Sequence, residues 1–331
     1  MMTAIKLLEA GFPVTLFDHK IPWDKPCGGM ITERVLEEFP LINEFLSRTK
    51  QCFRMYYESP DGERKSKRVS SALYVLSRFE FSKFLLDKAQ QLGVDLITEK
   101  VRSVEENDDF FTLRTKTKLH NSEIIIRADG VYSMVRRLFM QKIPKKELGL
   151  ACGYLLKQKK EDHFLMKYLD IEGYIWVFPG KNNTCVGIGD RMGENTRNEL
   201  FKKLDTFLED QSDDVTIVKQ WHGILPMINT PEFYQLLCSG PNWLLIGDAA
   251  GHVDPINGEG IYYALKSAEL AANSIIMNDL PYFDILWRQN YGKRLKKHAN
   301  HMNRNGKLRK LMGPKMVGTV MYNNSVYNIE E

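Results

Sequence analysis

The amino-acid sequence predicts an α/β fold, and three features carry that prediction. A short helix, a tight turn, a short apolar strand and an acidic residue follow one another at the start of the chain. A second buried strand precedes a long helix near residue 250, and a strand-rich stretch lies between these two regions. This order is typical of a mostly parallel sheet with covering helices, interleaved with a β-rich unit.

Composition excludes several functional classes. Hydrophobic residues at 43% of 331 residues are ordinary for a folded globular chain, and the net charge of +4 is too small for a nucleic-acid polycation, so we expect no nucleic acid among the partners. The five cysteines form no CxxC pair, which argues against a zinc site or a disulfide framework and favours a reducing cytosol. No apolar run reaches the roughly 18 residues of a membrane-spanning helix. The sequence thus predicts a cytoplasmic protein without a metal, for which peripheral membrane contact stays open.

The N-terminal segment has the form of the second half of a βαβ unit. A helix over Thr3 to Ala10 is predicted to end at Gly11, where a left-handed backbone conformation is favoured. Pro13 to Phe17 is typical of a buried parallel strand, and Asp18 at its end would accept hydrogen bonds from ribose hydroxyls, or else cap the strand. The strand and GxGxxG turn of a dinucleotide-binding unit are missing before the helix. We expect a true start about 20 residues upstream, the alternative being weak dinucleotide binding.

Apolar periodicity and turn residues place the remaining elements. The predicted elements, in chain order, are a hairpin of Phe53–Tyr57 and Lys67–Val75 around Pro60–Gly62, a helix at Phe79–Gln91, strands at Val94–Ile97, Phe111–Leu113 and Glu123–Ala128, a helix at Glu199–Glu209 within the strand-rich stretch 149–219, a strand at Trp243–Ile246 and a helix at Gly260–Met277.

The most informative stretch joins the strand near residue 245 to the long helix that follows it. The strand brings Gly247 and Asp248 to its carboxyl end, where ligands bind in open α/β sheets. Pro255, Gly258 and Gly260 then permit a close approach of backbone to a ligand where the helix begins. The amide donors and positive dipole end of that helix would face a pyrophosphate. The alternative is a helix cap with incidental glycines.

This stretch resembles the second flavin-binding motif of flavoproteins with the p-hydroxybenzoate hydroxylase fold. Three further segments, in the same order as in the family, narrow the resemblance to the geranylgeranyl reductases: a Pro-Cys-Gly loop, a YxWxFP(x7)GxG motif and an Asp-Gly fingerprint. The residues that carry these matches are Pro26, Cys27, Gly28 and Gly29; Tyr174, Trp176, Phe178 and Pro179 with Gly187 and Gly189; and Asp129 and Gly130 with Ser133 and Arg136.

The resemblance implies an FAD-dependent oxidoreductase that reduces carbon–carbon double bonds of an isoprenoid, geranylgeranyl-type lipid or diphosphate. It implies a Rossmann-like FAD-binding domain, truncated at its N-terminus, interleaved with a β-rich substrate domain and followed by a basic helical segment. The predicted ranges are 1–50, 72–148 and 239–284 for the FAD-binding domain, 51–71 and 149–238 for the substrate domain, and 285–331 for the C-terminal segment.

The resemblance also implies roles for individual residues. The expected FAD-binding residues are Asp18, Pro26, Cys27, Gly28, Gly29, Arg78, Asp129, Gly247, Asp248, Pro255, Gly258, Gly260 and Ile261. The expected substrate-binding residues are Tyr174, Trp176, Phe178 and Pro179, although an aromatic stripe on one face of a strand is also typical of a core. The electron donor would be NAD(P)H or a ferredoxin-type carrier protein.

Cys27 is the candidate catalytic residue. An isolated alkene is a poor hydride acceptor, so hydride transfer must be coupled to delivery of a proton in a dry pocket. The Cys27 thiol, or a water held by its loop, is the predicted proton source, whereas a small buried apolar residue is the alternative. His222, His252 and His298 are further acid or base candidates to which the sequence assigns no partner.

The C-terminal segment concentrates positive charge. Ten Lys or Arg residues and no Asp or Glu lie between Ile285 and Ile329. Residues 285–317 could therefore contact anionic headgroups, or simply form a solvated helical face.

Two rival functions remain open: an FAD-dependent monooxygenase or halogenase of the same fold, and a degenerate non-enzymatic relative that binds lipid or a partner.

Overall fold

The computed structural model describes residues 1–157, 163–211, 216–312 and 314–327. The chain folds into two compact units, each assembled from three segments. Unit 1 comprises Met1–Trp23, Ser82–Pro144 and Leu225–Asn300, and unit 2 comprises Asp24–Phe81, Lys145–Ile224 and His301–Glu331. The interleaving resembles the predicted domain organisation, but residues 24–50, 72–81 and 145–148, predicted for the FAD-binding domain, belong to unit 2, and residues 225–238, predicted for the substrate domain, belong to unit 1. The predicted C-terminal segment 285–331 is divided between the two units at residue 300. The functions predicted for the two domains stay predictions.

Strands and helices follow one another along the chain, as expected for an α/β fold. The strands are β1 (Thr15–Phe17), β2 (Met30–Thr32), β3 (Lys50–Glu58), β4 (Arg64–Val75), β5 (Asp95–Ile97), β6 (Ser103–Glu106), β7 (Phe111–Arg114), β8 (Leu119–Ser122), β9 (Ile125–Arg127), β10 (Leu148–Lys157), β11 (Phe164–Tyr168), β12 (Tyr174–Pro179), β13 (Asn183–Arg191), β14 (Ile217–Pro226) and β15 (Trp243–Leu245). The α-helices are α1 (Met2–Glu9), α2 (Glu33–Glu38), α3 (Arg78–Gln91), α4 (Met134–Phe139), α5 (Arg197–Glu209), α6 (Ile261–Ile276), α7 (Tyr282–Trp287), α8 (Lys293–Met312) and α9 (Pro314–Tyr327).

Unit 1 contains two short parallel strand pairs and one small antiparallel sheet. β1 pairs in parallel with β5, β15 pairs in parallel with β9, and β6, β7 and β8 form the antiparallel sheet. Helix α1 packs against α6 and ends before Gly11, whose φ of +84° is the left-handed conformation predicted for it. The parallel pairs bring the ends of β1 and β15, with their predicted acidic residues, to the carboxyl edges of their sheets.

Strand β1 is less buried than the sequence predicts. Thr15 is exposed, and Leu16 and Phe17 are half-buried. The reason is that β1 has β5 as its neighbour on one side and no strand on its other side among the described residues. A strand at the edge of its sheet keeps part of its surface open to solvent.

Unit 2 is built on an eight-stranded sheet with the order β14-β10-β13-β12-β11-β3-β4-β2. β11 runs parallel to β3, although the two strands are far apart in the chain. Helix α5 covers this sheet, with Leu200, Phe201, Leu204 and Phe207 in one core with Cys152 and Tyr154 of β10. The helix starts with a capping box, since Thr196 and Glu199 each satisfy the other's backbone amide.

The predicted hairpin is present, whereas the sequence did not predict strands β2, β6 and β8. β3 and β4 flank a turn in which Gly62 has a φ of +86°. Strands β6 and β8 were not predicted, because their residues are largely polar and half-exposed and so lack an apolar pattern. β2 was missed because its three residues are too short to show a period.

The C-terminal segment is helical, as predicted, through α8 and α9. Of the residues that gave this segment its amphipathic character, the side chains of Leu308, Arg309, Lys310, Met312, Lys315 and Val317 lie outside the described part of the structure. No helix in the described ranges combines the length and the apolar character that crossing a bilayer requires.

Candidate functional site

A cavity of about 250 Å³ in unit 2 brings predicted site residues together. Pro26, Cys27, Gly28 and Arg78 all line it. They come from two segments, the loop before β2 and the start of α3. The sequence predicted a role for each segment but not that the two lie together. Other lining residues, among them Trp221, Cys185 and Lys181, were not predicted as site residues.

The loop from Pro26 to Gly29 is held by one hydrogen bond within the loop and one to Leu76, the residue after β4. The Gly29 amide donates to Cys27 Sγ at 3.3 Å, and the Leu76 amide donates to the Gly29 carbonyl at 3.0 Å. Gly29 has a φ of +76°, and a Cβ added there would lie 2.4 Å from the Leu76 carbonyl oxygen. The position therefore requires glycine on two grounds, backbone conformation and space.

The same loop packs against the aromatic stripe of β12. A Cβ added to Gly28 would lie 2.9 Å from the Phe178 ring and 3.1 Å from Trp176 Nε1. Tyr174, Trp176 and Phe178 follow one another along one face of the strand, with ring centroids 6.0 and 6.3 Å apart. The predicted flavin loop and the predicted substrate stripe are thus in contact, and the glycine makes that contact possible.

Cys185 and Trp221 also line the cavity, whereas the predicted substrate residues Tyr174, Trp176, Phe178 and Pro179 are not among its lining residues. Cys185 on β13 donates its thiol to the Cys27 carbonyl at 3.6 Å, and burial raises the pKa of Cys185 to about 12, so the thiol keeps its proton. The Trp221 ring on β14 lies 6.1 Å from the Trp176 ring. Sequence reasoning missed both residues, because a lone cysteine and a tryptophan on a polar strand belong to no motif.

Arg78 lies in this cavity with an unsatisfied donor. Its Nε is buried and has no hydrogen-bond partner in the described part of the chain. Because a buried guanidinium nitrogen is stabilised by an acceptor, this Nε could donate to a polar ligand in the cavity. Together with the glycine loop, it fits a planar cofactor with acceptor atoms, as expected of a flavin.

In unit 1, the residues of the second predicted flavin segment gather between β15 and α6. Gly247 has a φ of +54°, its amide donates to Ser267 Oγ at 3.0 Å, and a Cβ there would lie 3.3 Å from that of Ala264. Gly260 caps α6, and a Cβ on it would lie 3.7 Å from Asp248 Oδ1. Strand end, acidic side chain and helix N-terminus therefore adjoin, as a dinucleotide site requires.

The turn within that segment is held by a buried carboxylate, Asp254. It has no exposed surface, and its oxygens accept from the Ile256 amide at 3.0 Å, the Tyr263 hydroxyl at 3.3 Å and His298 Nδ1 at 2.8 Å. The Asp254 backbone also bonds to Gly258 and Glu259. Asp254 and His298 thus support the loop that contains Pro255, which is buried, and Gly258.

His252 is a structural residue and not an acid at neutral pH. It is buried, with Nδ1 2.9 Å from the Tyr291 hydroxyl and Nε2 3.8 Å from Cys238 Sγ. Burial, reinforced by the charges of Arg136 and Arg288, lowers its pKa to about 3. The imidazole is therefore neutral and packs the core beneath the motif.

The two remaining acidic candidates are engaged locally. Asp18 is half-buried and accepts from the Lys20 amide at 2.9 Å, which leaves room for further acceptor bonds. Asp129 binds Arg127 at 2.6 Å and the Met134 amide at 3.1 Å at the start of α4. Buried Arg136 of the same fingerprint donates to the Ala249 carbonyl at 3.2 Å and so reaches the Gly247–Ile261 segment. FAD binding by these acids stays a prediction.

The described residues contain no cluster of His, Cys, Asp or Glu that could hold a metal ion.

Comparison with known sequences finds similarity to proteins named as reductases of geranylgeranyl compounds. No protein-family model matches the sequence. It is 30% identical over 268 residues to digeranylgeranylglycerophospholipid reductase 2 of Methanococcoides burtonii, covering 72% of this chain and 65% of that relative. It is 25% identical over 325 residues to geranylgeranyl diphosphate reductase of Synechocystis, covering 86% of this chain and 77% of that relative.

Comparison with solved structures identifies the fold. A geranylgeranyl bacteriochlorophyll reductase-like protein of Thermoplasma acidophilum superposes with a TM-score of 0.81 over 97% of this chain and 87% of its own, at 21% identity. A flavin-dependent brominase superposes with a TM-score of 0.71 over 97% of this chain and 92% of its own, at 14% identity. The predicted fold class, that of the FAD-dependent oxidoreductases, is confirmed.

Proposed function

We propose that this chain, which is homologous to the geranylgeranyl reductases, is an FAD-dependent oxidoreductase that reduces carbon–carbon double bonds of an isoprenoid lipid. One observation carries the proposal: the Pro26–Gly29 loop, which lines the cavity, packs on Trp176 and Phe178 of β12, so the segments of the two family motifs are in contact. The names of the relatives point to geranylgeranyl chains attached to a glycerophospholipid or to a diphosphate.

The predicted FAD-binding residues offer donors and acceptors of the kinds that the cofactor needs. In unit 2, the glycine loop would lie against the ring, and the unsatisfied Nε of Arg78 would donate to it. In unit 1, Asp18 and Asp248 offer acceptors for hydroxyl groups, and the N-terminus of α6 at Gly260 suits phosphates. Bound FAD would supply hydride transfer, which no side chain of the protein can perform.

The protein has to provide the proton and a dry pocket. We propose that Cys27 holds the proton at Sγ, where the Gly29 amide fixes the sulfur at 3.3 Å. Tyr174, Trp176, Phe178 and Pro179 would line the path of the isoprenoid chain. Trp176 and Phe178 are 8% and 5% exposed, so water is largely kept from this side of the loop.

An anaerobic assay tests the proposal. Flavin-loaded protein, dithionite and geranylgeranyl substrates are incubated without oxygen, and the products are analysed by mass spectrometry. We expect a gain of two hydrogen atoms for each reduced double bond. An unchanged mass for a geranylgeranyl glycerophospholipid, the diphosphate and the free alcohol alike would overturn the proposed reduction.

The same assay separates the rival function. The structural likeness to a flavin-dependent brominase favours a monooxygenase or halogenase as the second candidate. Such an enzyme consumes oxygen, so it would be inactive under anaerobiosis and would oxidise or halogenate its substrate only in air. A non-enzymatic relative would be inactive in both conditions.

The electron donor is NAD(P)H or a ferredoxin-type carrier protein in our proposal. Anaerobic mixing of the flavin-loaded protein with each donor, followed by flavin absorbance, identifies the one that reduces it. Rapid bleaching by NADPH or NADH alone would exclude the need for a carrier. Bleaching only by a reduced iron–sulfur protein would indicate a protein partner.

We also propose that residues 285–317 contact the membrane surface from which the lipid comes. Ile285 is 48% exposed and Leu311 is 82% exposed, and the lysines at 293 and 297 are exposed between them. Apolar side chains interspersed with cations suit an anionic bilayer. Sedimentation with vesicles of anionic lipid but not with neutral vesicles is expected, and equal sedimentation with both would contradict an electrostatic contact.

A further inference from the structure

Two cations at the unit 2 cavity belong to none of the flavin or isoprenoid motifs. Arg48 ends the 3₁₀ segment Pro40–Arg48, and Lys181 lies in the turn between β12 and β13. Both side chains line the cavity that also contains Cys27, and both are exposed. Neither was a candidate in the sequence, because each is a single basic residue in a loop.

A hydrogen bond joins the Lys181 side chain to the segment that contains Arg48. Lys181 Nζ donates to the carbonyl oxygen of Ser47 at 2.7 Å, and Ser47 is the chain neighbour of Arg48. The Arg48 guanidinium lies 5.6 Å from the centroid of the Phe45 ring. In the described part of the chain, neither cation has a carboxylate within ion-pair distance, so their donors are available to a ligand.

The charge of the whole lining is also positive. Five basic side chains and two acidic ones line the cavity. One of the two acids, Asp24, is paired with Lys219 at 2.6 Å. The other, Glu80, is in the first turn of α3. An excess of positive charge around one cavity attracts anions, and phosphate accepts several charge-assisted hydrogen bonds at once.

We propose that Arg48 and Lys181 form a binding site for the phosphate or diphosphate group of the isoprenoid substrate. The site would anchor the charged end of the molecule at the cavity while the apolar chain lies along β12. It rests on the proposed reductase function for the identity of the substrate. The same chemistry could instead belong to the diphosphate of FAD, and the experiment separates these two sources.

The test uses the full chain loaded with FAD and the double variant Arg48→Ala/Lys181→Ala. We expect the KM for geranylgeranyl diphosphate to rise about 10- to 100-fold, the effect of losing hydrogen bonds to a charged group, with kcat nearly unchanged. The KM for geranylgeraniol, which lacks the phosphates, should stay the same. The Kd for FAD should also stay the same. The control variant Arg68→Ala removes one exposed cation of β4 that is not in the cavity lining, and should change none of these values.

A binding measurement keeps the site testable if no reduction is observed. Calorimetric titration with inorganic diphosphate, with and without FAD loaded, should show binding to the unmodified chain and at least about tenfold weaker binding to the double variant. Equal diphosphate affinity in both proteins would overturn the site even if the reductase is active. Weaker FAD binding with an unchanged KM for the diphosphate substrate would also overturn it, because the cations would then serve the cofactor. Thermal melting of each variant establishes that it is folded.

Discussion

His298 Nδ1 lies 2.8 Å from Oδ2 and 3.0 Å from Oδ1 of Asp254, so a single imidazole hydrogen is shared by both oxygens of a buried carboxylate. The carboxylate cannot donate when ionised, so the nitrogen must carry the hydrogen. Asp254 precedes Pro255 and the glycines of the flavin segment, and His298 belongs to α8. The pair therefore links the basic C-terminal helix to the loop predicted to bind FAD.

Replacing His298 should weaken that loop. In His298→Ala, Asp254 keeps the Ile256 amide and the Tyr263 hydroxyl but loses its imidazole donor. We expect the free energy of unfolding to fall by about 1–3 kcal/mol, the range for a hydrogen bond to a charged group. FAD affinity should fall as well. Urea denaturation and flavin fluorescence titration measure the two effects, and His222→Ala, at an exposed position, is the control. Equal effects of both substitutions would contradict a role for the pair.

Distance along the chain explains what the sequence could and could not predict about this site. The Gly247–Ile261 segment was predictable, because strand, acid, glycines and helix are consecutive. The partner of Asp254 was not, since His298 lies 44 residues further along. Likewise, the loop at Gly28 and the stripe at Trp176 were each predicted, but their contact depends on how the eight-stranded sheet is assembled. Local patterns predict elements, whereas pairing between distant elements requires the fold.

Substituting Gly28 tests the contact between the loop and the aromatic stripe. In Gly28→Ala, the new methyl would meet Phe178 at 2.9 Å and Trp176 Nε1 at 3.1 Å, so the loop has to shift away from β12. We expect the amount of FAD that co-purifies with the protein to fall several-fold. Gly62→Ala is the matched control, because it adds backbone strain at a φ of +86° but meets no atom within 4 Å. If the control lost as much FAD, global destabilisation would explain the result.

The buried imidazole of His252 predicts a pH dependence of stability. Its pKa is lowered to about 3, whereas an unfolded chain has a histidine pKa near its ordinary value of 6.5. Below pH 6.5 the unfolded state therefore binds a proton that the folded state does not. The stability from this group is complete above pH 6.5 and is lost as the pH falls toward 3.

The size of this change in stability follows from the pH interval over which only the unfolded state binds the proton. Between pH 6.5 and about 4.5, His252 alone should reduce the free energy of unfolding by about 2–3 kcal/mol. Urea denaturation of the unmodified chain and of His252→Gln at both pH values measures the difference in slope, since other groups titrate equally in both proteins. Parallel pH profiles would show that the imidazole is not held neutral.

Cys27 is the residue on which the proposed chemistry depends most. Its sulfur accepts a hydrogen bond from the Gly29 amide, and its backbone carbonyl accepts one from the Cys185 thiol at 3.6 Å, so both the side chain and the backbone of Cys27 are held at the cavity. Cys27→Ala removes the proposed proton source without adding volume. We expect kcat for alkene reduction to fall by about 10²- to 10⁴-fold, the usual contribution of general acid catalysis, with the FAD content nearly unchanged. Cys52→Ala, at a buried cysteine outside the cavity lining, should keep its activity unless it destabilises the fold. Single-turnover reduction under anaerobiosis, read as the mass of the product, isolates this step from flavin reduction by the donor. An unchanged rate in Cys27→Ala would assign the proton to a water or another side chain, and the loop would then serve only to shape the cavity.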